Sequence, residues 1–323
     1  KICKILLVIL AIFLCVAFYE LLGICVAYKK QPEVSNTTKK ETKNGSWNEC
    51  SENTERAVII EKNPEALLQR VRLIKNAKKE IILSTFAFQS DESGKLILGA
   101  LHDAADRGVH IRLLVDGMES WIDMEGNPYF YGLSSHENVE IKLYNKANPL
   151  KPWKMMGRMH DKYLIADGKR YILGGRNTYN YFLGDFPGHK NYDRDVLVVC
   201  DEPEKENSVN QLLEYFETIW EQEDSGYFHD NKKLANRKSV KNAVLELQNG
   251  YQKYFEENKE RICDTDYTDE TFETEKIALV SNPIHTGSKE PVVWYQLGEL
   301  MKNAKERVKI HTPYNICNDM MYN

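Results

Sequence analysis

Between Met159 and Asn177 the sequence reads MHDKYLIADGKRYILGGRN, which sets His160, Lys162, Asp167, Gly174, Gly175 and Asn177 in the spacing H-x-K-x4-D-x6-G-G-x-N. These residue types suit work on a phosphodiester. An imidazole can attack phosphorus and carry a covalent intermediate, a lysine ammonium can neutralise the non-bridging oxygens, and an asparagine amide can donate to them without adding charge. Gly174 and Gly175 would let the backbone come close to the substrate. The strand-like runs Tyr163 to Ala166 and Tyr171 to Leu173 flank Asp167-Gly168, so a β-hairpin is expected, with His160 and Lys162 on one face. A lone histidine is ordinarily a hydrogen-bonded surface or core residue; the spacing of the whole set argues for chemistry at His160. Residues 151–195 carry nine Lys or Arg against five Asp or Glu, a positive surplus that suits an anionic substrate, although solvated faces show the same.

Such a set needs a sheet to hold it. Leu67, Leu68, Val71, Leu73 and Ile74 predict a helix from Pro64 to Lys78, and Glu80 to Phe88 reads as a strand. Leu96 to Arg107 predicts a second helix, ended by Gly108, and His110 to Val115 a buried strand, ended by Asp116-Gly117. Val209, Leu212, Leu213, Phe216, Ile219 and Trp220 form one stripe on a helix over Ser208 to Trp220. The class is α/β. LIKNAKKEIILST from Leu73 and LMKNAKERVKIHT from Leu300 align without a gap at an offset of 227 (300 − 73). A period that long implies two copies of a whole domain rather than a solenoid.

The segment from Met159 to Asn177 resembles the signature of the phospholipase D superfamily. KNAKKEIILSTFAF, ALHDAADRGVHIRLLVDG and DRDVLVV with LLEYFETIW resemble that family's first half, and NVEIKLYN together with Tyr181-Phe182 looks most like the cardiolipin synthases of the C type. The resemblance implies a phospholipase D-like mixed sheet flanked by helices, the first of two repeated halves. It also implies a two-step transfer without metal, in which one histidine is phosphorylated and a histidine from a second motif protonates the leaving alcohol. Carried over by position, His160, Lys162 and Asp167 form the catalytic set, with Asp167 more an organiser of the hairpin than a reactant. Lys162, Gly175 and Asn177 hold phosphate. Asp193 or Asp195 is a candidate acid to orient an imidazole, with an ordinary turn and strand-edge pair as the equal alternative.

Around this half the expected divisions are residues 1–30, a transmembrane anchor or signal; 31–56, a flexible linker; 57–225, the catalytic half; 226–275, a connecting segment; and 276–323, an incomplete second half. Ile5 to Tyr28 is almost wholly apolar and long enough to cross a bilayer. An uncleaved anchor is expected, because a good small-residue cleavage site is missing and Ile24 before Cys25 spoils a lipoprotein-like one. Lys1 and Lys4 favour an inside N-terminus, whereas Lys29, Lys30, Lys39, Lys40 and Lys43 argue the opposite; the catalytic part is expected outside the cytoplasm.

The seven cysteines include no C-x-x-C pair, so neither a zinc site nor a disulfide scaffold is signalled, and nothing indicates a cofactor. A net charge of −5 offers no globally basic surface for nucleic acid. The expected partners are a membrane phospholipid substrate and the bilayer. No second H-x-K occurs, so the expectation is a piece of a longer protein whose second histidine lies near position 387 (160 + 227). The alternative is a homodimer in which each chain gives one motif. Lipid transfer or hydrolysis is the expected activity, against a membrane-tethered nuclease or a scaffold without catalysis.

Overall fold

The computed structural model describes residues 2–30, 32–45, 55–200, 207–229 and 231–310. One mixed sheet holds nine strands: β1 Glu55–Ile60, β2 Glu80–Thr85, β3 His110–Asp116, β4 Val139–Tyr144, β5 Tyr163–Ala166, β6 Arg170–Gly174, β7 Asp195–Cys200, β8 Ser225–Tyr227 and β9 Phe272–Glu273. Their order is β8-β4-β3-β2-β5-β6-β7-β1-β9. The strands β2, β3 and β4 run parallel, and β5, β6, β7 and β1 continue antiparallel.

The helices are α1 Ile2–Tyr28, α2 Asn36–Asn44, α3 Asn63–Asn76, α4 Glu92–Asp106, α5 Gly117–Asp123, α6 Pro128–Ser134, α7 Ser208–Trp220, α8 Lys238–Glu257, α9 Lys259–Cys263 and α10 Val292–Lys302. Alternation along β2 explains the layers: Ile81 and Leu83 join the core with α3, α4, α6 and α8, while Ile82 joins Phe216, Ile219 and Trp220 of α7 on the other face. A sheet covered on both faces requires strands as apolar as HIRLLV. The α/β expectation and the flanking helices are met.

Three local expectations differ. The segment 226–275, expected as a connecting helix with a surface loop, does hold a helix, α8, but it also supplies most of β8 and all of β9. Val240, Ala243, Leu247, Tyr251 and Phe255 of α8 are buried against α4 and α6, a stripe hidden by the charged residues between them. The expected linker 31–56 contains α2, whose start is capped by the Ser35 hydroxyl accepting from Thr38 N and whose end is capped by Gly45 at φ 77°. Its last two residues, Glu55 and Arg56, already belong to β1. Residues 307–310, which the internal repeat aligns with the strand from Glu80, find no sheet neighbour and stay irregular; positions 311 and 312 of that repeat lie outside the described residues.

Among the described residues one helix, Cys3–Tyr28, is long and apolar enough to cross a bilayer, and it fits a membrane anchor. A stripe of half-buried residues on it, Ala17, Glu20, Gly23, Ile24, Ala27 and Tyr28, faces the rest of the protein.

Candidate active site

The hairpin of β5 and β6 turns through Asp167 at φ 55° and Gly168 at φ 62°, the left-handed pair that a tight two-strand turn requires. Asp167 accepts from the backbone N–H of Lys78, Lys79 and Glu80, at 3.1 and 2.9, 2.7, and 3.0 Å. It therefore pins the entry of β2 to the turn. Its carboxylate is at the opposite end of β5 from His160, which takes it out of the catalytic set and leaves it the role of organiser of the hairpin.

At the other end, Gly174 N donates to Lys162 O at 3.1 Å, carrying the β5–β6 pairing one step past Tyr163 and bringing the motif's two ends together. The stretch after β2 supplies the floor. Phe88 bridges Thr178, and Thr178 N donates to Ala87 O at 3.1 Å. This sets the Phe86 ring 4.7 Å from the His160 ring and 5.2 Å from the Lys162 ammonium. His160 and Lys162 thus share one aromatic neighbour, as their spacing predicts.

Lys162 Nζ donates to the His160 carbonyl at 2.6 Å. Burial, opposed by Asp161 and Asp193, lowers the pKa of the ammonium to about 8. The His160 ring is reached by solvent along the cleft, yet crowding by neighbouring atoms, reinforced by the Lys162 charge, holds its pKa below the ordinary imidazole value.

Asn177 is buried, and its Oδ1 accepts from Ala87 N at 3.1 Å. Neither Asn177 nor Gly175 lines the cleft, whereas Gly174 does. Packing constrains both glycines: an added Cβ at Gly175 would meet the Asp193 carboxylate, and one at Gly174 would meet Asp195. Gly175→Ala is therefore expected to cost about 1–3 kcal/mol in a denaturant melt, and adding Asp193→Ala should recover most of it. Equal losses in the single and double variants would contradict the contact.

Asp195 does not reach the imidazole. Its carboxylate is fully buried between Arg70 at 2.9 Å and Arg176 at 3.2 Å, both also buried. Asp193 sits nearer, with its charge felt by Lys162, but its Oδ1 accepts from Arg194 N at 2.8 Å and it does not appear among the charges acting on His160.

The carboxylate that acts on His160 is Asp116, at the end of β3. It is buried, caps α5 by accepting from Met118 N and Glu119 N, and takes Arg158 Nε and Nη2 together with Met159 N at 3.0 Å. Asp116 thereby fixes the backbone immediately before His160. The only signal in the sequence was Asp116-Gly117 as a strand terminator, because its partners lie 42 and 43 residues away.

The cleft, of about 370 Å3, is lined by Arg158, His160, Asp161, Lys162 and Tyr215, and closed by Leu279 to Ile284 and Lys289. Tyr215 OH donates to Asp161 at 2.7 Å, and burial pushes that carboxyl upward against this bond. Lys289 Nζ donates to Arg158 O at 3.3 Å, and burial lowers the pKa of this ammonium. Three cations beside an imidazole suit a phosphodiester. Among the described residues no three His, Cys, Asp or Glu side chains gather as a metal site.

Residues 70–220 match the family model described as cardiolipin synthase, PLD-like domain. An uncharacterized protein of Helicobacter pylori strain J99 is 30% identical over 61% of this chain and 39% of its own length. Cardiolipin synthase C of Escherichia coli strain K12 is 29% identical over 49% of this chain and 34% of its own length. The chain thus spans less than half the length of either curated relative. Among solved structures, phosphatidylserine synthase of Haemophilus influenzae Rd KW20 aligns with 76% of this chain and 51% of its own, at 16% identity and a TM-score of 0.45.

Proposed function

We propose that this chain is a phospholipase D superfamily member similar to cardiolipin synthases, and that it transfers phosphatidyl groups between phospholipids, or to water, through His160. The observation that carries the reading is the shared position of His160 and Lys162 over Phe86, on a cleft beside a helix that fits a membrane anchor.

A nitrogen of His160 attacks phosphorus, the bond to the leaving alcohol breaks, and the alkoxide takes a proton from a second histidine, a role that His160 of a second copy of the chain can fill. An acceptor alcohol or water then attacks the phosphohistidine, loses its proton to the same donor, and frees the imidazole. Lys162 and Lys289 neutralise the non-bridging oxygens, and Asp116 holds the loop that carries His160. The reading also puts the catalytic part outside the cytoplasm, with the bilayer as its partner.

The test is incubation of the full-length gene product with phosphatidylglycerol vesicles, with products resolved by mass spectrometry. Cardiolipin or phosphatidic acid supports the reading. DNA cleavage without a lipid product would replace it with a nuclease.

Rate against pH adds a sharper expectation. Attack needs neutral His160 and charged Lys162, so the acid limb should fall below the ordinary imidazole range, and a loss near pH 8 from Lys162 should add to the alkaline limb of the histidine donor. Lys162→Ala should lower the rate about 10²- to 10³-fold and remove the component near pH 8, leaving that of the donor. A wild-type rate that stays flat to pH 10 would contradict this role. Stability should move with the same proton: the folded chain binds it less tightly than the unfolded chain does, so stability rises from pH 8 towards the ordinary lysine value and that gain is lost as pH falls through 8.

A further inference from the structure

We infer that the loop of residues 147–156 is a second membrane contact, which dips into the headgroup boundary beside α1 and holds the cleft of His160 at the lipid surface. The inference rests on α1 spanning a bilayer and goes beyond it, because it assigns lipid contact to a part of the globular domain.

The loop lies against the membrane helix itself. Tyr19 OH donates to Leu150 O at 3.0 Å, and Gly23 faces Pro152 and Trp153 so closely that a side chain there would collide with the proline ring. Tyr19 and Gly23 lie nine and five residues before Tyr28, so at a rise of ~1.5 Å per residue the loop sits ~8–13 Å below the end of α1. The 26 residues of the apolar helix extend ~39 Å, against a hydrocarbon core of ~30 Å. With that excess of ~9 Å on the Tyr28 side, a loop at this depth on the helix meets the boundary between acyl chains and headgroups.

Its side chains fit that zone. Leu150, Trp153 and Met156 are 78, 44 and 57% exposed, apolar surface that an aqueous loop has no reason to present together. Trp153 is the residue type that favours the interface, and Tyr19 and Tyr28 lie beside the same boundary. Exposed Lys29, Lys30 and Lys151 add positive charge there, which suits anionic headgroups.

The same boundary is tied to the cleft. Tyr28 OH donates to Thr286 O at 2.6 Å, and Ser288 Oγ donates to Ala27 O at 3.0 Å. The next residue is Lys289, in the cleft wall, and Glu290 accepts from Ser35 N and Thr38 Oγ1 at the start of α2. One short segment therefore joins the exit of the membrane helix to the phosphate-facing cations. Lipid lifted slightly from the bilayer would meet His160 without crossing open water.

The test uses the full chain in vesicles of phosphatidylglycerol and phosphatidylcholine, with lipids brominated near the headgroup end of the acyl chain. Emission of Trp153 is obtained as wild type minus Trp153→Phe, a change that keeps a ring at a part-exposed position. Bromine should quench this difference by about half or more, and aqueous acrylamide should reach it less in vesicles than in dispersed detergent-free protein. Alkaline carbonate extraction run beside it separates the two ways to fail. A chain retained in the membrane whose Trp153 is untouched by bromine overturns the loop contact and leaves the anchor standing; a chain released by carbonate overturns the anchor and this inference with it.

Discussion

Replacing His160 with alanine is expected to lower phosphatidyl transfer by about four orders of magnitude or more while leaving stability within ~0.5 kcal/mol of wild type. The ring is solvent-accessible, and it lies among Phe86, Lys162, Asp116 and Arg158 rather than in a packed apolar core, so its removal leaves no cavity to collapse. A large activity loss with an unchanged melt is the signature of a group acting on the reaction. Retention of more than about a tenth of the rate would mean that another nucleophile does the work. Glutamine at 160 should fare no better, since an amide can donate to a phosphoryl oxygen but cannot carry the covalent intermediate.

The second large effect is on folding. Asp195→Ala is expected to destabilise the chain by about 3–5 kcal/mol, because it leaves Arg70 and Arg176 as buried cations without their carboxylate. Asp195→Asn keeps the volume and loses the charge, so it should also melt early in urea. An acid orienting the imidazole would behave otherwise: its amide variant would fold normally and shift the pH profile. A stable Asp195→Asn protein with a displaced acid limb would restore that role to Asp195.

These contrasts show where sequence is informative. The helix Ser208–Trp220 was legible because its apolar stripe repeats at helical spacing. The hairpin was legible through Asp167-Gly168, and the pairing of His160 with Lys162 through strand alternation. Asp116 was not legible, since its work depends on the end of β3 meeting residues 158 and 159 across the sheet. Lys289 and Phe86 depend on contacts of the same long-range kind.

Other misses were of local signals outweighed by composition. Ser35 and Gly45 mark the two ends of α2, yet the Lys, Thr and Asn between them suggest a linker. Two-residue β9 and three-residue β8 are too short to declare a period, and they are strands because the sheet edges offer hydrogen bonds. Asp193 and Asp195 share a strand-like spacing, but what Asp195 faces was set by arginines from elsewhere: Arg70 lies on α3, and Arg176 follows β6.

The most direct measurement is to mix the full-length protein with phosphatidylglycerol vesicles, quench within the first turnovers under mild alkali, and map modified peptides by tandem mass spectrometry. The account predicts an acid-labile phosphatidyl adduct on the peptide holding His160, assigned to the imidazole and missing from His160→Ala. Steady lipid turnover with no adduct on that peptide, or an adduct that survives in His160→Ala, would contradict it.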